Sequence, residues 1–172
     1  KLTDAQDMTD RLTDTTGAAV WSADNKFLLY VAVDENHRPA NVMRHRLGTD
    51  QRDDICVYRE ADAGFFVSID DTRSGRFVII SAHDHETSEC WLIPAHAPEA
   101  APICVAPRTL GIEYDVDDDV NNNALVIVTN WAPEGRAEDF LVATAPVPTR
   151  DADMSSWQIL RAHTPGCCWR RR

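Results

Sequence analysis

The sequence lacks long hydrophobic runs, and basic residues are in the minority. No apolar stretch approaches the roughly 18 residues that a membrane-spanning helix needs. The 172 residues include 17 lysines and arginines against 28 aspartates and glutamates, which gives a net charge of -11. Nucleic-acid phosphates would repel such a chain, so the charge argues against nucleic-acid binding. It favours cationic ligands if it has a functional role, although surface acidity often serves solubility alone.

Cysteine is sparse and odd in number, which argues against a disulfide framework. The five cysteines occupy positions 56, 90, 104, 167 and 168. The first three fall inside predicted strands, and we interpret them as reduced core or sheet residues. The opening residues KLTDAQDMTDRLTDTT contain no apolar stretch of the kind found in a secretory signal. These features predict a soluble, cytoplasmic protein that does not bind a membrane.

A threefold repeat is the strongest positive signal in the chain. Its copies are SADNKFLLYVAV (22–33), DDTRSGRFVIISA (70–82) and DDDVNNNALVIVTN (117–130). Phe77 follows Phe27 by 50 positions and precedes Leu125 by 48. That spacing is close to the roughly 40 to 50 residues of a four-stranded propeller blade.

Short apolar or alternating runs between Gly, Pro, Asn and Asp clusters predict four strands in each repeat. The predicted strands are 18–22, 27–33, 41–47 and 54–60, then 65–70, 76–82, 88–94 and 101–107, then 112–117, 124–130, 140–147 and 156–162. The second strand of each repeat is apolar at nearly every position, as expected when both of its faces are covered. The turns before these strands contain Gly75 or a run of asparagines, residues that tolerate positive φ. The one candidate helix is short and lies within residues 3–12.

These patterns predict an all-β fold, an incomplete β-propeller of about three four-stranded antiparallel blades. A propeller closes with about four to eight blades, so three indicate part of a larger ring. The predicted divisions are the end of a preceding blade or a linker (1–16), three blades (17–62, 63–108 and 109–162) and an atypical tail (163–172). Because the tail HTPGCCWRRR fits neither the strand pattern nor the acidic balance, we hypothesise a truncated or frame-shifted gene product.

Three segments carry a resemblance to a known family: HRPANVMRHRLGT (37–49), DICVYREADAGFFVSIDDTRSGRFVIISAHDHETSECWLIPA (54–95) and GIEYDVDDDVNNNALVIVTN (111–130). They resemble the N-terminal propeller of the oligopeptidase B enzymes, members of the prolyl oligopeptidase family of serine peptidases. The likeness extends over roughly residues 11–163. Met43 departs from it, because the family more often has an aromatic residue before Arg-His, and methionine fits the same apolar slot.

The resemblance implies a seven-bladed propeller that caps an α/β-hydrolase domain. The propeller would then act as a size filter that admits short peptides, and oligopeptidase B cleaves after Arg or Lys. The implied partners are the catalytic domain of the parent enzyme and short basic peptides. The acidic residues that read the basic side chain belong to the catalytic domain, and none of them lies in the matched segment.

The sequence offers no convincing catalytic, cofactor or metal residues. A nucleophile elbow of this family needs G-x-S-x-G, followed by Asp and His. The candidate serines, Ser68, Ser74 and Ser81, have no such context, so we expect the chain alone not to hydrolyse peptides.

Two clusters resemble metal sites. The segment from His83 to Glu86 (HDHE) is interpreted as a solvated loop rather than a metal site. The acidic run from Asp115 to Asp119 has Val120 and Val126 where a calcium loop needs Gly and Glu. No metal is therefore predicted.

Two further sets of side chains have a functional and a structural interpretation. The segment from Arg44 to Arg46 (RHR) either faces a partner domain or the propeller tunnel, or its alternate members pair with acids near the neighbouring strand such as Asp53, Asp54 and Glu60. The four tryptophans near strands form either a stacking surface for a ligand or packing between blades: Trp21, Trp91, Trp131 and Trp157. We favour the structural interpretation in both cases.

Two functions remain open. The chain is either part of the substrate-gating lid of an oligopeptidase B-like peptidase or a free-standing β-sheet module that binds other proteins.

Overall fold

The computed structural model describes residues 10–161, which form three four-stranded antiparallel sheets. The first sheet contains β1 (Thr15–Trp21), β2 (Phe27–Val33), β3 (Pro39–Arg46) and β4 (Ile55–Arg59). The second contains β5 (Phe66–Asp71), β6 (Phe77–His83), β7 (Ser88–Pro94) and β8 (Ile103–Ala106). The third contains β9 (Tyr114–Asp119), β10 (Ala124–Ala132), β11 (Gly135–Pro146) and β12 (Gln158–Arg161). In each sheet the strands are neighbours in chain order.

Helical structure between residues 10 and 161 is limited to two single 3₁₀ turns, Gln51–Asp53 and Met154–Ser156. No helix in this range has the length and apolar character needed to cross a membrane. The helix predicted within residues 3–12 is not formed by residues 10–12, and the rest of that segment lies outside the described residues. The prediction of an all-β fold built from four-stranded antiparallel sheets is confirmed, and the three sheets do not close into a ring.

The second sheet lies between the other two, and the alternation of side chains along β6 explains its continuous apolar sequence. Val78 and Ile80 pack against the first sheet, whereas Phe77 and Ile79 pack against the third. Successive residues of a strand point to opposite faces, so a strand that is covered on both sides needs apolar residues throughout. This confirms the sequence interpretation for the second repeat.

The third sheet follows this rule on one face. Leu125 and Ile127 of β10 are fully buried against the second sheet, but Val128 on the opposite face is 40% exposed. The prediction that both faces of this strand are covered is therefore wrong for residues 10–161.

The third strand of the third sheet is longer than predicted. It was expected over 140–147, but β11 begins at Gly135, because Ala132 pairs with Gly135 and Trp131 with Arg136 across a tight hairpin. The sequence PEGRAED resembles a loop, since it is polar and contains Gly and Pro. Backbone pairing with β10 overrides that local preference, and β11 begins five residues earlier than predicted.

The turns between the first two strands of the second and third sheets contain the backbone conformations that the sequence predicted. Gly75 has φ +71° and Asn123 has φ +47°. Both lie in the left-handed region, which L-residues with bulky side chains avoid. Glycine and asparagine occupy these positions because they tolerate the geometry that the hairpins require.

Replacing Gly75 with valine is expected to lower the free energy of unfolding by about 1 to 2 kcal/mol, the cost of the left-handed conformation for a residue with a Cβ. No heavy atom lies within 4 Å of a Cβ placed at Gly75, so a steric clash adds nothing. Urea denaturation measures the effect. Gly75→Asn is the matched control and should lose less than half as much, and an equal loss for both variants would contradict the explanation.

Candidate functional site

A polar cleft of about 310 Å³ lies between the second and third sheets. We call it the acidic cleft. Its polar lining residues are Ser68, Asp70, Ser81, His83, Asp84, Thr87, Ser88, Glu113 and Asp115. Its four carboxylates come from three places in the sequence: Asp70 from β5, Asp84 from the loop between β6 and β7, and Glu113 and Asp115 from the start of β9 and the loop before it. The fold thus gathers acidic side chains that the sequence leaves apart.

Two of the three candidate serines lie in this cleft, but without the geometry of a nucleophile. Ser68 and Ser81 face each other across β5 and β6. The Ser81 hydroxyl lies 3.6 Å from the Cys90 sulfur, and His83 Nδ1 lies 3.4 Å from the Asp84 backbone oxygen. An activated serine needs a base within hydrogen-bond reach of its hydroxyl. Ser74 is elsewhere, in a turn, where its hydroxyl accepts a hydrogen bond from the Arg76 backbone.

Asp84, His85 and Glu86 lie in the hairpin loop between β6 and β7, as the sequence predicted, whereas His83 is the last residue of β6. Asp84 organises the loop, because its Oδ1 accepts hydrogen bonds from the backbone N–H groups of Glu86 at 2.8 Å and Thr87 at 2.7 Å. These bonds lower the pKa of the Asp84 carboxyl. His83 and His85 are exposed. Among residues 10–161, no three His, Cys, Asp or Glu side chains are grouped so as to hold a metal ion.

The acidic run on β9 is engaged in structural contacts. Asp117 accepts a hydrogen bond at 2.9 Å from the backbone of Arg73 in the second sheet. The fully buried carboxylate of Asp118 lies 3.4 Å from the Arg76 guanidinium. Asp119 accepts hydrogen bonds from the Asn122 side chain and from the turn backbone, and these lower its pKa. The run thus joins two sheets and stabilises a turn.

Within the Arg-His-Arg segment, His45 makes the pairing that the sequence analysis expected of a basic residue. Its side chain is 1% exposed, and its Nδ1 lies 2.7 Å from an oxygen of Asp54. Arg44 instead donates to the Pro98 backbone oxygen of the second sheet at 3.0 Å and stacks over the ring of Phe27. The predicted pairing with an acid is therefore found for His45, whereas Arg44 contacts a backbone oxygen and an aromatic ring.

A buried ion cluster joins the first two sheets, and the sequence analysis did not find it. We call it the Arg108 cluster. Arg108 Nη2 lies 2.5 Å from Glu60 and 3.0 Å from Glu89, and its guanidinium stacks 4.0 Å from the centre of the Phe65 ring. Burial acts to raise the pKa of Glu60, but hydrogen bonds from Arg108 and the backbone outweigh it and the pKa is lowered. The partners are far apart in sequence, so no local pattern pointed to them.

The tryptophans divide between packing and exposure. Trp91 of the second sheet contacts Tyr58 of the first, with ring centres 5.7 Å apart. Trp157 is buried in the core between the second and third sheets, where Trp131 packs against it. The prediction of blade packing is confirmed for these three. It is wrong for Trp21, which is 46% exposed in a surface cleft that it shares with Ile69 and Asp70 of β5.

The cysteines of the described chain are free thiols in strands, as predicted. Cys90 and Cys104 are buried, whereas Cys56 is exposed on β4. Burial raises the pKa of Cys104 to about 12, which keeps its thiol protonated and unreactive at neutral pH. Cys167 and Cys168 lie outside the described residues.

Comparison with known proteins agrees with this architecture. Residues 1–157 match the sequence model of the prolyl oligopeptidase N-terminal beta-propeller domain. The chain belongs to this family. Among curated proteins, it is 34% identical over 155 residues to "Dipeptidyl aminopeptidase BI" of Pseudoxanthomonas mexicana and 33% identical over 114 residues to "Protease 2" of Moraxella lacunata. These matches cover 90% and 66% of the chain, but 20% and 16% of the two relatives.

Solved structures show the same fold. Oligopeptidase B from Leishmania major superimposes with a TM-score of 0.69 at 22% identity, over 94% of this chain and 29% of that one. Oligopeptidase B from Trypanosoma brucei, with covalently bound antipain, gives 0.66 at 20% identity, over 91% and 28%. As a propeller portion of the prolyl oligopeptidase family, the chain presents stacked sheets with carboxylates in the cleft between the second and third.

Proposed function

We propose that the chain is part of the substrate-gating propeller of an oligopeptidase B-like serine endopeptidase that cleaves short peptides after Arg or Lys. The main support for this proposal is the match of residues 1–157 to the family's propeller domain, together with the three four-stranded sheets that lie side by side. The chemistry belongs to an α/β-hydrolase domain, which is the proposed partner. In this role the chain limits access by size and hydrolyses nothing itself.

The charge and the cysteines support two parts of this proposal. Carboxylates of the acidic cleft attract basic peptides, which are the substrates proposed for the parent enzyme. The free thiols of Cys90 and Cys104 suit a reducing compartment, so we propose a cytoplasmic location. The blade limits 17–62, 63–108 and 109–162 stay predictions, and they enclose nearly all of the residues in the three sheets.

The purified chain is expected to release no product from a fluorogenic arginine substrate and to take up no fluorophosphonate label, because Ser68 and Ser81 lack an activating base. Ser81→Ala is the matched control, since it removes a cleft hydroxyl that lies 3.6 Å from a thiol sulfur. If the chain shows hydrolysis or labelling and this substitution abolishes it, the cleft contains a nucleophile. That result would refute the proposal that catalysis belongs to a separate hydrolase domain.

An in-frame α/β-hydrolase domain in the DNA downstream of codon 172 would give direct support. Size-exclusion chromatography separates the proposal from the alternative of a free-standing interaction module. The exposed side chains of Val128 and Leu160 on the third sheet favour association of the isolated chain. A well-folded monomer with a sharp unfolding transition would favour the module instead.

A further inference from the structure

We propose that His45 is a proton-controlled clasp that fastens residues 10–14, the segment leading into β1, to the first sheet. The clasp is closed when the imidazole is charged and opens when it loses a proton. It lies on the face of the first sheet that points away from the second, because Met43 and His45 alternate with Val42, which belongs to the core between these sheets. This inference does not depend on peptidase activity.

The geometry around His45 requires two hydrogen-bond donors on one ring. Its Nδ1 lies 2.7 Å from Asp54 Oδ1, and its Nε2 lies 3.3 Å from Asp10 Oδ2. An ionised carboxylate accepts hydrogen bonds but donates none, and a neutral imidazole carries a single N–H. Both contacts are therefore satisfied together by the imidazolium, which donates from both nitrogens.

The contact of His45 with Asp54 is shorter and more buried than its contact with Asp10. The contact with Asp10 is therefore the one that is lost on deprotonation. The Asp54 side chain is 1% exposed, and its second oxygen accepts a hydrogen bond from the Tyr30 hydroxyl at 2.9 Å. Asp10 is farther from the ring and its side chain is 13% exposed. The remaining proton of a neutral ring stays on Nδ1 and binds Asp54. The Nε2 lone pair then faces the Asp10 carboxylate, and the two repel each other.

The rest of the segment is held by groups that do not titrate near neutral pH. Gln51 donates to the Thr13 backbone oxygen and accepts from the Thr13 N–H, both at 3.0 Å. Val33 N–H donates to the Asp14 backbone oxygen at 2.9 Å. Opening therefore begins at residues 10–12, where the Asp10 side chain also accepts a hydrogen bond from the Gly48 N–H at 2.7 Å.

A groove of about 790 Å³ lies beside the segment and contains the other charged groups that influence the clasp. The charged and titratable residues that face His45 or line this groove are Asp10, Arg11, Asp14, Tyr30, Asp50, Arg52 and Asp54. Burial raises the pKa of Tyr30 to about 12, so its hydroxyl remains a donor to Asp54 throughout the neutral range.

The direction of the pH dependence follows from the charge of the closed state. Burial alone lowers the pKa of His45, but hydrogen bonds to Asp54 and Asp10 outweigh it and the pKa is raised. The clasp is thus closed below the ordinary histidine pKa of about 6.5 and opens as the pH rises through the higher pKa of the folded protein.

Trypsin cleavage after Arg11 in the full chain tests the proposal, with mass spectrometry of the released amino-terminal peptide as the readout. Rates are divided by those of a synthetic peptide of residues 5–16 that carries the same substitution, which removes the pH dependence of trypsin. Between pH 6 and 9 the ratio is expected to rise at least about fivefold, since one titrating proton changes a population by up to tenfold per pH unit. Asp10→Asn retains an acceptor for Gly48 but removes the charge, so its ratio should be constant within about twofold.

Asp14→Asn is the matched control, because Asp14 lies in the same segment and has no contact with the ring in the described structure. It should behave as the unsubstituted chain does. An NMR titration of His45 gives a second measurement, in which Asp10→Asn is expected to lower the histidine pKa. Three results would each overturn the clasp. The ratio of cleavage rates could stay constant with pH in the unsubstituted chain, or it could depend on pH equally in Asp10→Asn. His45 could also titrate below about 6.5.

Discussion

Replacing Arg108 with methionine is expected to lower the free energy of unfolding by about 3 kcal/mol at pH 7, because the substitution leaves two buried carboxylates without their cation. The side chains of Glu60 and Glu89 are 4% and 10% exposed, and both contact the same guanidinium nitrogen. Methionine keeps an apolar side chain against the ring of Phe65. The lost stability is therefore due to the missing charge. It is measured as the shift of the urea unfolding midpoint, with the dependence of the unfolding free energy on urea concentration unchanged.

A second expectation for Arg108→Met concerns pH. In the unsubstituted chain the pKa of Glu60 is lowered, so its stabilising contribution is present above the ordinary pKa of about 4.3 and is lost as the pH falls through the pKa of the folded state. In Arg108→Met the cation is gone and burial raises the pKa of Glu60. Protonation of Glu60 then stabilises the folded state. The difference between the two proteins should therefore shrink from pH 7 to pH 4.

Arg52→Met is the matched control for the loss of one guanidinium. The Arg52 side chain is 91% exposed and lies 3.6 Å from an exposed Asp50, and exposed pairs of this kind contribute about 0 to 1 kcal/mol. The double variant Arg108→Met with Glu60→Gln should recover part of the lost stability. Equal losses for Arg108→Met and Arg52→Met would show that the cluster does not hold the first two sheets together.

Sequence patterns predicted the strands because the physical cause of each strand shows in consecutive residues, even where that cause is contact with another sheet. The apolar run of β6 follows from its position between two sheets, and the turn at Gly75 follows from backbone geometry. The start of β11 was missed because pairing with β10 decides it, not the propensity of its polar residues. Trp21 was misjudged for a related reason, since the sequence does not show how much of a side chain at a strand end the neighbouring sheet covers.

The candidate site was harder to predict than the fold. Ser68, Ser81 and His83 were singled out separately, but the cleft that they share with Glu113 and Asp115 depends on how two sheets face each other. The Arg108 cluster gave no signal at all, because Glu60 precedes Arg108 by 48 positions and lies in another sheet. His45 was noticed as part of a basic segment. Its two carboxylate partners, however, come from a turn and from the chain before β1.

Replacing Tyr114 with alanine is expected to lower the free energy of unfolding by about 4 kcal/mol, because removing a buried aromatic ring leaves a cavity. Tyr114 is 0% exposed and packs edge to face against Trp157, with ring centres 5.0 Å apart. Its hydroxyl donates to the Ala106 backbone oxygen and accepts from the Cys90 N–H at 2.8 Å, so the residue joins β9 to the second sheet. Urea denaturation followed by tryptophan fluorescence measures the loss.

Tyr114→Phe separates the ring from the hydroxyl. It keeps the packing but removes the hydrogen bonds that the hydroxyl makes with the Cys90 N–H and the Ala106 carbonyl, at an expected cost of about 2 kcal/mol. Val128→Ala is the control on the opposite, partly exposed face of the same sheet, and it should cost less than about 1 kcal/mol. If alanine at 114 costs no more than phenylalanine, the ring contributes little. If Val128→Ala costs as much as Tyr114→Ala, the two faces of the third sheet contribute equally, and the core that it shares with the second sheet is not what holds it in place.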